Sequence, residues 1–226
     1  MLNPFIDVVV PAAGVGKRMQ LNYPKQYALI GSKTVLEHTV DSLLKAPFVG
    51  NIIIGISKGD EYFKDLPLSQ NKRIILGFGG KERSDTVLNC LDKVQSEYVM
   101  VHDAARPLIS VEDLKALSEY VDHKEVDGAI LACKVADTIK KVENGVIVKT
   151  VPRDDLYRAY TPQLFNTALL KQSLTKAYQE GKCVTDEASA MELYGYKVAI
   201  VEGRSDNFKL TTPDDLKLAL ILLKEI

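Results

Sequence analysis

Short, continuous apolar runs are the feature of this sequence that most restricts its fold. Six of them recur along the chain, and they do not alternate apolar with polar residues. Runs of this kind are typical of strands that are buried on both faces, as in a parallel sheet. The predicted strands are Ile6–Val10, Ile52–Ile56, Arg73–Phe78, Tyr98–Val101, Ala129–Cys133 and Val198–Val201.

Helical patterns lie between and after these runs, with apolar residues that recur on one face. The alternation of strands and helices predicts βαβ units, and so a three-layer, doubly wound, Rossmann-like α/β fold with a mostly parallel sheet. In such folds ligands bind at the carboxyl ends of the strands. Because no linker is visible, we predict one domain over residues 1–226. The predicted helices cover 34–46, 84–95, 111–121, 166–180 and 185–194, and a last helix follows Thr212.

The segment Asp137–Thr150 does not follow this alternation of strands and helices. Two short strand-like stretches flank Glu143-Asn144-Gly145, which is a strong hairpin signal. An isolated hairpin is only marginally stable in water, so this one has to pack on its own domain or on a second subunit. We therefore predict a protruding β-hairpin arm at about 137–155.

Composition and charge exclude several classes of function. The chain has 226 residues, a formal net charge of −1 and a pI near 6.3, which argues against nucleic-acid binding by bulk charge. No apolar stretch is long enough to span a membrane, and the first residues do not resemble a signal peptide. The three cysteines are far apart and lack metal-ligand spacing. We expect a cytoplasmic protein without nucleic-acid or membrane partners.

The stretch 10–25 combines small residues with clustered cations. Its small residues, from Ala12 to Gly16, let a ligand approach the backbone, and successive backbone N–H groups bind anions. Lys17, Arg18 and Lys25 follow, which predicts a polyphosphate site. The loop matches neither the Walker A pattern nor the dinucleotide-binding pattern. The alternative is an ordinary strand-to-helix turn with surface cations.

Two later loops follow predicted strands. Gly79-Gly80 again permits close approach of a ligand, although a plain turn would look the same. In His102-Asp103-Ala104-Ala105-Arg106-Pro107, the Asp103 carboxylate could hold Mg²⁺, which prefers oxygen ligands and arrives with phosphates. Arg106 could bind a second anion or sugar hydroxyls. The alternative for Asp103 is a buried pair with an arginine. We expect His102 to be a structural histidine without a catalytic role.

Two cations in the last third of the chain are further candidates. Arg153 and Lys209 lie among turn residues rather than on a helix face, whereas the hairpin lysines 140, 141 and 149 are most simply solvated charges.

The motifs become specific when they are read together and in order. They are Pro-Ala-Ala-Gly-x-Gly-x-Arg-Met, Pro-Lys-Gln-Tyr, Gly-Gly-x-x-Arg, His-Asp-Ala-Ala-Arg-Pro, Asp-Thr-x-Lys, Thr-Pro-Gln, Thr-Asp-Glu and Asn-x-Lys-x-Thr. Over nearly its whole length the sequence resembles the 2-C-methyl-D-erythritol 4-phosphate cytidylyltransferase family. One departure is Thr86-Val87, where the family usually has Ser-Val, so that a methyl group is added and the hydroxyl is kept.

This resemblance implies a nucleotidyltransferase fold and a role for each motif. The nucleotide would be bound by Pro11, Ala12, Ala13, Gly14, Gly16, Gly80, Lys81, Thr86, Asp103 and Ala104. The acceptor would be bound by Asp103, Arg106, Thr138, Arg153, Thr161, Thr185 and Lys209. The catalytic cations would be Arg18, Lys25, Arg153 and Lys209. The implied cofactor is Mg²⁺, bound to Asp103 directly or through water. The implied assembly is a homodimer that exchanges arms, so that Thr138 and Arg153 reach the neighbouring site.

The implied reaction transfers a cytidylyl group from CTP to 2-C-methyl-D-erythritol 4-phosphate and releases pyrophosphate. It would need little proton transfer, because the acceptor phosphate is already largely dianionic at neutral pH. Positioning and cationic stabilisation would carry the rate, which suits a site rich in Arg and Lys.

Two other functions stay open at this point. The first is ribitol-5-phosphate cytidylyltransferase, whose pattern favours Leu-Ala-Gly-Gly and His-Asp-Ser-Val-Arg. This chain instead has Pro11-Ala12-Ala13-Gly14 and His102-Asp103-Ala104-Ala105-Arg106. The second is a non-catalytic nucleotide-binding module on the same fold, which would not need all of the clustered charged residues together.

Overall fold

The computed structural model describes residues 5–14, 16, 19 and 21–223. The strands are β1 Ile6–Pro11, β2 Leu29–Ile30, β3 Lys33–Thr34, β4 Val49–Ile56, β5 Ile74–Phe78, β6 Tyr98–Val101, β7 Gly128–Lys134, β8 Ile139–Glu143, β9 Val146–Val151, β10 Tyr157–Asn166 and β11 Val198–Glu202. The α-helices are α1 Val35–Leu44, α2 Arg83–Leu91, α3 Val111–Ser118, α4 Thr167–Gln179, α5 Glu187–Glu192 and α6 Pro213–Leu222.

Seven of these strands form one central sheet in the order β11-β7-β10-β6-β1-β4-β5. β1 lies parallel to β4 and β6, β4 lies parallel to β5, and β7 lies parallel to β11. Only β10 among the strands of this sheet is antiparallel to its neighbours, β6 and β7. The predicted mostly parallel sheet is therefore confirmed.

Helices cover both faces of this sheet. Val8 and Val10 of β1 pack in a core with residues of α1 and α3, whereas Val9 packs in a second core with α2, α4 and α5. Because successive residues of a strand point to opposite faces, a strand between two cores has to be apolar throughout. This explains the continuous apolar runs, and the predicted three-layer α/β architecture is confirmed.

The apolar pattern did not predict β10. This strand contains Pro162 and Gln163, which are atypical of the interior of a sheet. Gln163 pairs with Val101, the last residue of β6, so that 157–162 extend past the carboxyl end of β6. The register with β7 shifts between Ala159 and Gln163. The irregular part of β10 therefore lies at the edge of the sheet where ligands are expected.

The helices largely begin at the predicted residues, but some end earlier. Ser110 caps α3 by accepting from the Asp113 N–H, and Thr212 caps α6 in the same way. The prediction of 84–95 was too long, because α2 ends at Leu91. The prediction of 185–194 was also too long, because the Asp186 side chain caps α5 and leaves Thr185 in the preceding loop.

The predicted hairpin is present as a two-stranded sheet of its own, formed by β8 and β9. Asn144 and Gly145 have φ angles of 50° and 80°, as a tight hairpin turn requires. Its apolar residues Val142, Val146 and Ile147 are exposed. A role for this hairpin in dimerisation stays a prediction.

The described residues bear on two further expectations. All three cysteines, which are far apart in the sequence, are free. No helix in the described part of the chain is long and apolar enough to cross a bilayer.

Candidate active site

A cleft of ≈ 350 Å³ opens at the carboxyl ends of β1, β5 and β6. The loops after these three strands form its walls, as a doubly wound sheet predicts. The cleft is lined by Pro11, Ala12, Ala13, Gly14, Lys25, Gln26, Gly80, Lys81, Glu82, Arg83, Thr86, Asp103, Ala104, Ala105 and Lys209. It thus brings together nearly all of the residues predicted to bind the nucleotide.

The loops after β1 and β5 pack closely against each other at one end of this cleft. A Cβ atom added to Gly79 would lie 2.3 Å from the Cβ of Ala13, so only glycine fits there. The Gly80 N–H donates to the Thr86 hydroxyl at 3.1 Å, which fixes the turn into α2. The loops after β1 and β5 are therefore held together at this end of the cleft.

The methyl group of Thr86, the departure from the family pattern, has a place in the core. A Cβ atom added to Gly55 of β4 would lie 2.6 Å from Thr86 Cγ2. The methyl group therefore packs over a glycine of the sheet, while the hydroxyl stays on the Gly80 turn.

Lys25 begins a short 3-10 turn, Lys25–Tyr27, at the edge of the cleft. Its ammonium group donates to the carbonyl oxygen of Leu210 at 2.8 Å. Gly16 has a φ of 71°, and a Cβ atom there would lie 2.6 Å from Lys25 Cγ. Gly16 thus contacts the Lys25 side chain, and it is not among the described residues that line the cleft. Arg18 lies outside the described residues.

Asp103 is the centre of a buried cluster of charges. Its Oδ1 accepts from Arg83 Nε at 3.0 Å, and its Oδ2 accepts from Arg106 Nε at 3.2 Å. Lys209 Nζ lies 3.0 Å from the same Oδ2. The buried Asp–Arg pair that the sequence left as an alternative is present, and it extends to three cations.

The cluster keeps this carboxylate charged. Burial by itself would raise the pKa of Asp103, but Arg83, Lys209 and Arg106 together outweigh burial and hold the pKa well below its usual range. The carboxylate therefore remains a fixed negative charge that orients three cationic side chains.

A second, smaller cleft of ≈ 220 Å³ adjoins the first. It shares Arg83, Asp103 and Lys209 with the larger cleft, so these three side chains form the boundary. Arg106 stacks over the Tyr160 ring with 4.7 Å between its Cζ and the ring centroid. The full lining is Arg83, Asp103, Arg106, Ala159, Tyr160, Thr161, Gln163, Thr185, Asp186 and Lys209.

His102 lies beneath both clefts as a structural residue, as predicted. It is fully buried, and its Nε2 and Nδ1 lie 3.0 Å from the Arg106 carbonyl oxygen and the Thr161 hydroxyl, respectively. Burial lowers the pKa of His102 to about 4, so the ring is neutral near pH 7. The Thr161 hydroxyl also accepts from the Asp103 N–H at 3.0 Å, which ties β10 to the loop after β6.

Thr138 and Arg153 are placed differently from the other predicted acceptor residues. Both are exposed, and neither is among the described residues that line the two clefts of this chain. Arg153 donates to the carbonyl oxygen of Ala136 at the root of the hairpin. Their predicted contact with a neighbouring subunit is not a property of one chain, and it stays a prediction.

Three residues at or beside the clefts have no role among those predicted from the sequence. Gln26 donates to the Ala12 carbonyl oxygen and so connects the Lys25 turn to the loop after β1. Arg83 and Glu187 form two parallel hydrogen bonds, of 2.7 and 3.1 Å. All three lie within the quoted motifs, at the third position of Pro-Lys-Gln-Tyr, the last position of Gly-Gly-x-x-Arg and the last position of Thr-Asp-Glu. Nothing in the sequence indicated that the two charged residues meet.

The surroundings of Asp103 limit how it could bind Mg²⁺. Within the described part of the chain, no three His, Cys, Asp or Glu side chains form a metal-binding group. Both Asp103 oxygens already accept from cations. Mg²⁺ keeps several waters and takes much of its coordination from substrate phosphates. The residues therefore fit an ion held mainly by a triphosphate, with Asp103 in contact through water.

Comparison with known proteins gives one consistent family. The family model described as 2-C-methyl-D-erythritol 4-phosphate cytidylyltransferase matches residues 6–225. A protein of that name from Vibrio atlanticus is 49% identical over 97% of this chain and 96% of its own length. One from Salmonella paratyphi B is 50% identical over 97% of this chain and 94% of its own length. The crystal structure of the Francisella tularensis protein of this name is 32% identical, with a TM-score of 0.81 over 95% of this chain and 98% of that chain.

The sequence match, the shared fold and the order of the motifs around the two clefts agree over nearly the whole chain. This chain therefore belongs to the 2-C-methyl-D-erythritol 4-phosphate cytidylyltransferase family.

Proposed function

We propose that this protein is a cytidylyltransferase that transfers the cytidylyl group of CTP to 2-C-methyl-D-erythritol 4-phosphate. The products are 4-diphosphocytidyl-2-C-methyl-D-erythritol and pyrophosphate. The observation that carries the proposal is the pair of adjoining clefts that share Arg83, Asp103 and Lys209. Two substrates bound in these clefts would meet at a boundary of fixed charges.

The larger cleft would take CTP. The small residues Ala13 and Gly80, together with Thr86, line one end of it and would leave backbone groups open to the base. The small residues Pro11, Ala12 and Gly14 leave backbone open to the triphosphate, and Lys25 lies at the same edge. Lys81 and Ala104, which also line this cleft, and Gly16 complete the proposed nucleotide contacts.

The smaller cleft would take the sugar phosphate. Arg106 and Lys209 supply positive charge there, and Thr161 and Thr185 also line this cleft. An acceptor in this cleft would lie next to the α-phosphorus of CTP across the shared boundary. Because the acceptor phosphate is largely dianionic near pH 7, its oxygen needs no general base. His102, which is buried and neutral, is in keeping with such a reaction.

The cations would carry the catalysis. Lys25 and Lys209 would stabilise the additional negative charge on the five-coordinate α-phosphorus, since Lys209 lines both clefts and Lys25 lines the larger one. Arg18 would bind the β- and γ-phosphates and the departing pyrophosphate. Mg²⁺, held by the triphosphate and by Asp103 through water, would supply further charge neutralisation. Binding of Mn²⁺ as a probe, measured with and without CTP, tests this placement.

The hairpin would complete the site in a homodimer. Arg153 and Thr138 lie at the hairpin and its root, and they are exposed in one chain. The exposed valines and isoleucine of the hairpin would be covered by a second subunit. Arg153 of each protomer would then bind the incoming phosphate in the partner's site. In this proposal residues 1–226 act as one nucleotidyltransferase domain, with the arm at about 137–155, in the cytoplasm.

A comparison of acceptors tests the proposed function. Purified protein is assayed with CTP and either 2-C-methyl-D-erythritol 4-phosphate or ribitol 5-phosphate, and release of pyrophosphate is measured. We expect turnover with the first acceptor and little with the second. Faster turnover with ribitol 5-phosphate would reverse the assignment of the acceptor. Release of pyrophosphate without any acceptor, or no release with either, would favour the non-catalytic nucleotide-binding module.

A further inference from the structure

Glu187 is a buried carboxylate that the proposed reaction does not use. It is the first residue of α5 and is 0% exposed. It is not among the described residues that line either cleft. Since a buried carboxylate is costly unless it is paired and hydrogen-bonded, its partner indicates what it does.

That partner is Arg83, which Glu187 holds by both carboxylate oxygens. Arg83 Nη1 donates to Oε1 at 2.7 Å and Nη2 donates to Oε2 at 3.1 Å, so the guanidinium plane is fixed by two parallel hydrogen bonds. The Nε of the same guanidinium donates to Asp103 Oδ1. Arg83 is thus a bridge between two carboxylates, one at the end of β6 and one at the start of α5.

The bridge lies at the boundary of the two clefts. Arg83 lines both of them and begins α2, next to the nucleotide-side residues Gly80 and Lys81. Glu187 begins α5, next to Thr185 and Asp186 of the smaller cleft. The Arg83–Glu187 pair therefore fixes the acceptor side of the site relative to the nucleotide side.

The negative charge of Glu187 affects how Arg83 contacts the Asp103 carboxylate. Three cations surround the Asp103 carboxylate, and Glu187 supplies a second negative charge to one of them, Arg83. With Glu187 in place, Arg83 Nε donates to Oδ1, whereas Arg106 and Lys209 contact Oδ2. Without Glu187, the Arg83 fork would be free to turn onto Asp103 and compete for Oδ2.

We propose that Glu187 is a positioning residue for cytidylyl transfer. It holds the Arg83 guanidinium so that Asp103 keeps Lys209 and Arg106 at the junction of the two clefts. This inference rests on the proposed function, and it adds a residue that touches neither substrate.

The variant Glu187→Gln removes the charge and keeps the size of the side chain. We expect kcat/KM with CTP and 2-C-methyl-D-erythritol 4-phosphate to fall about 10- to 100-fold, because small displacements of positioned groups cost this much. The matched control is Glu192→Gln at the exposed end of the same helix, which should keep wild-type kcat/KM. Assays are run well below the melting temperature of each variant. A residue that serves stability alone would lower only the melting temperature.

A double-variant cycle with Arg83→Gln separates positioning from a general effect. If Glu187 acts through Arg83, then Glu187→Gln adds no further loss of kcat/KM in the Arg83→Gln background. Wild-type kcat/KM in Glu187→Gln, within twofold, would overturn the proposal. Losses that multiply in the double variant would also overturn it.

A replacement variant and a wild-type assay complete the experiment. If Glu187→Gln does not fold, then Glu187→Asp, which keeps the charge but shortens the side chain, replaces it in the same cycle with the same deciding outcomes. The wild-type enzyme is assayed first. If it shows no turnover, the proposed function fails and this inference fails with it, whereas normal wild-type turnover with unaffected variants refutes the inference alone.

Discussion

The Nζ of Lys209 lies 3.0 Å from Oδ2 of Asp103, although Asp103 follows β6 and Lys209 follows β11 at the far edge of the sheet. The loop after β11 folds back across the strand ends to make this contact. The Leu210 N–H donates to the Ala105 carbonyl oxygen at 2.8 Å, and Asn207 Nδ2 donates to the Thr161 carbonyl oxygen at 3.0 Å. These two hydrogen bonds bring the last motif of the sequence to the junction of the clefts.

Removing either catalytic lysine should slow the reaction strongly. We expect Lys25→Ala and Lys209→Ala each to lower kcat by ~10²–10³, the usual cost of one preorganised charge in the transition state. The measurement is steady-state kinetics at saturating CTP and acceptor. Lys217→Ala is the control, since that side chain is 78% exposed on α6. Either lysine variant keeping more than half of the wild-type kcat would refute the assigned role.

The buried His102 should make stability depend on pH. Its pKa is lowered to about 4 in the folded protein, whereas the ordinary value is 6.5, so the unfolded chain binds the proton first as the pH falls. The free energy of unfolding should therefore decrease from about pH 6.5 towards pH 4, by up to about 3 kcal/mol from this group. Urea denaturation at several pH values measures this change. In His102→Gln the free energy of unfolding should depend less on pH between 4 and 6.5. The same pH dependence as in the wild type would contradict the assignment.

Gly14→Ala should separate ligand binding from folding. A Cβ atom at Gly14 meets no atom of the described residues within 4 Å, so the melting temperature should stay the same. If the triphosphate approaches this backbone, KM for CTP should rise about tenfold, which corresponds to about 1.4 kcal/mol. Gly79→Ala should instead impair both stability and binding, because its Cβ atom would lie 2.3 Å from the Ala13 Cβ. An unaltered KM for CTP in Gly14→Ala would argue against a close backbone contact.

An arm shared between subunits predicts complementation between two inactive variants. In this arrangement each site takes Lys25 from one subunit and Arg153 from the other. A dimer of one Lys25→Ala subunit and one Arg153→Ala subunit therefore has one site with both mutations and one intact site. After subunit exchange, an equal mixture should recover about a quarter of wild-type activity, because half of the dimers are mixed and each has one working site. The same variants assayed separately give the baseline. No recovery despite proven exchange, or only monomer in a solution mass measurement, would contradict the shared site.

Local patterns predicted the parts of the fold that depend on local chemistry. The apolar runs predicted β1, β4 and β6 because those strands are buried on both faces. Cap and turn residues such as Thr212 and Asn144-Gly145 predicted where α6 begins and where the hairpin turns. The strand β10 was not predicted, because its proline and glutamine are typical of a loop. Only the pairing with β6 and β7 shows that these residues lie in a strand.

The sequence predicted some residues of the candidate site but not all of them. Ala12, Gly80, Asp103 and Lys209 lie in small-residue or charged motifs after strands, and the fold brings them to one cleft. Gly16 contacts the Lys25 side chain, and its expected contact with the triphosphate stays a prediction. Arg18 lies outside the described residues, and the roles of Thr138 and Arg153 depend on a second subunit.

The sequence by itself determined the alternation of strands and helices, the hairpin turn and the supply of small and cationic residues, because these depend on neighbours a few residues apart. Only the tertiary structure decided that Arg83 would bridge Glu187 and Asp103, and that Lys209 would share the Asp103 carboxylate. Charged side chains pair when the loops that carry them meet and water is excluded between them. The order of strands in the sheet decides which loops meet.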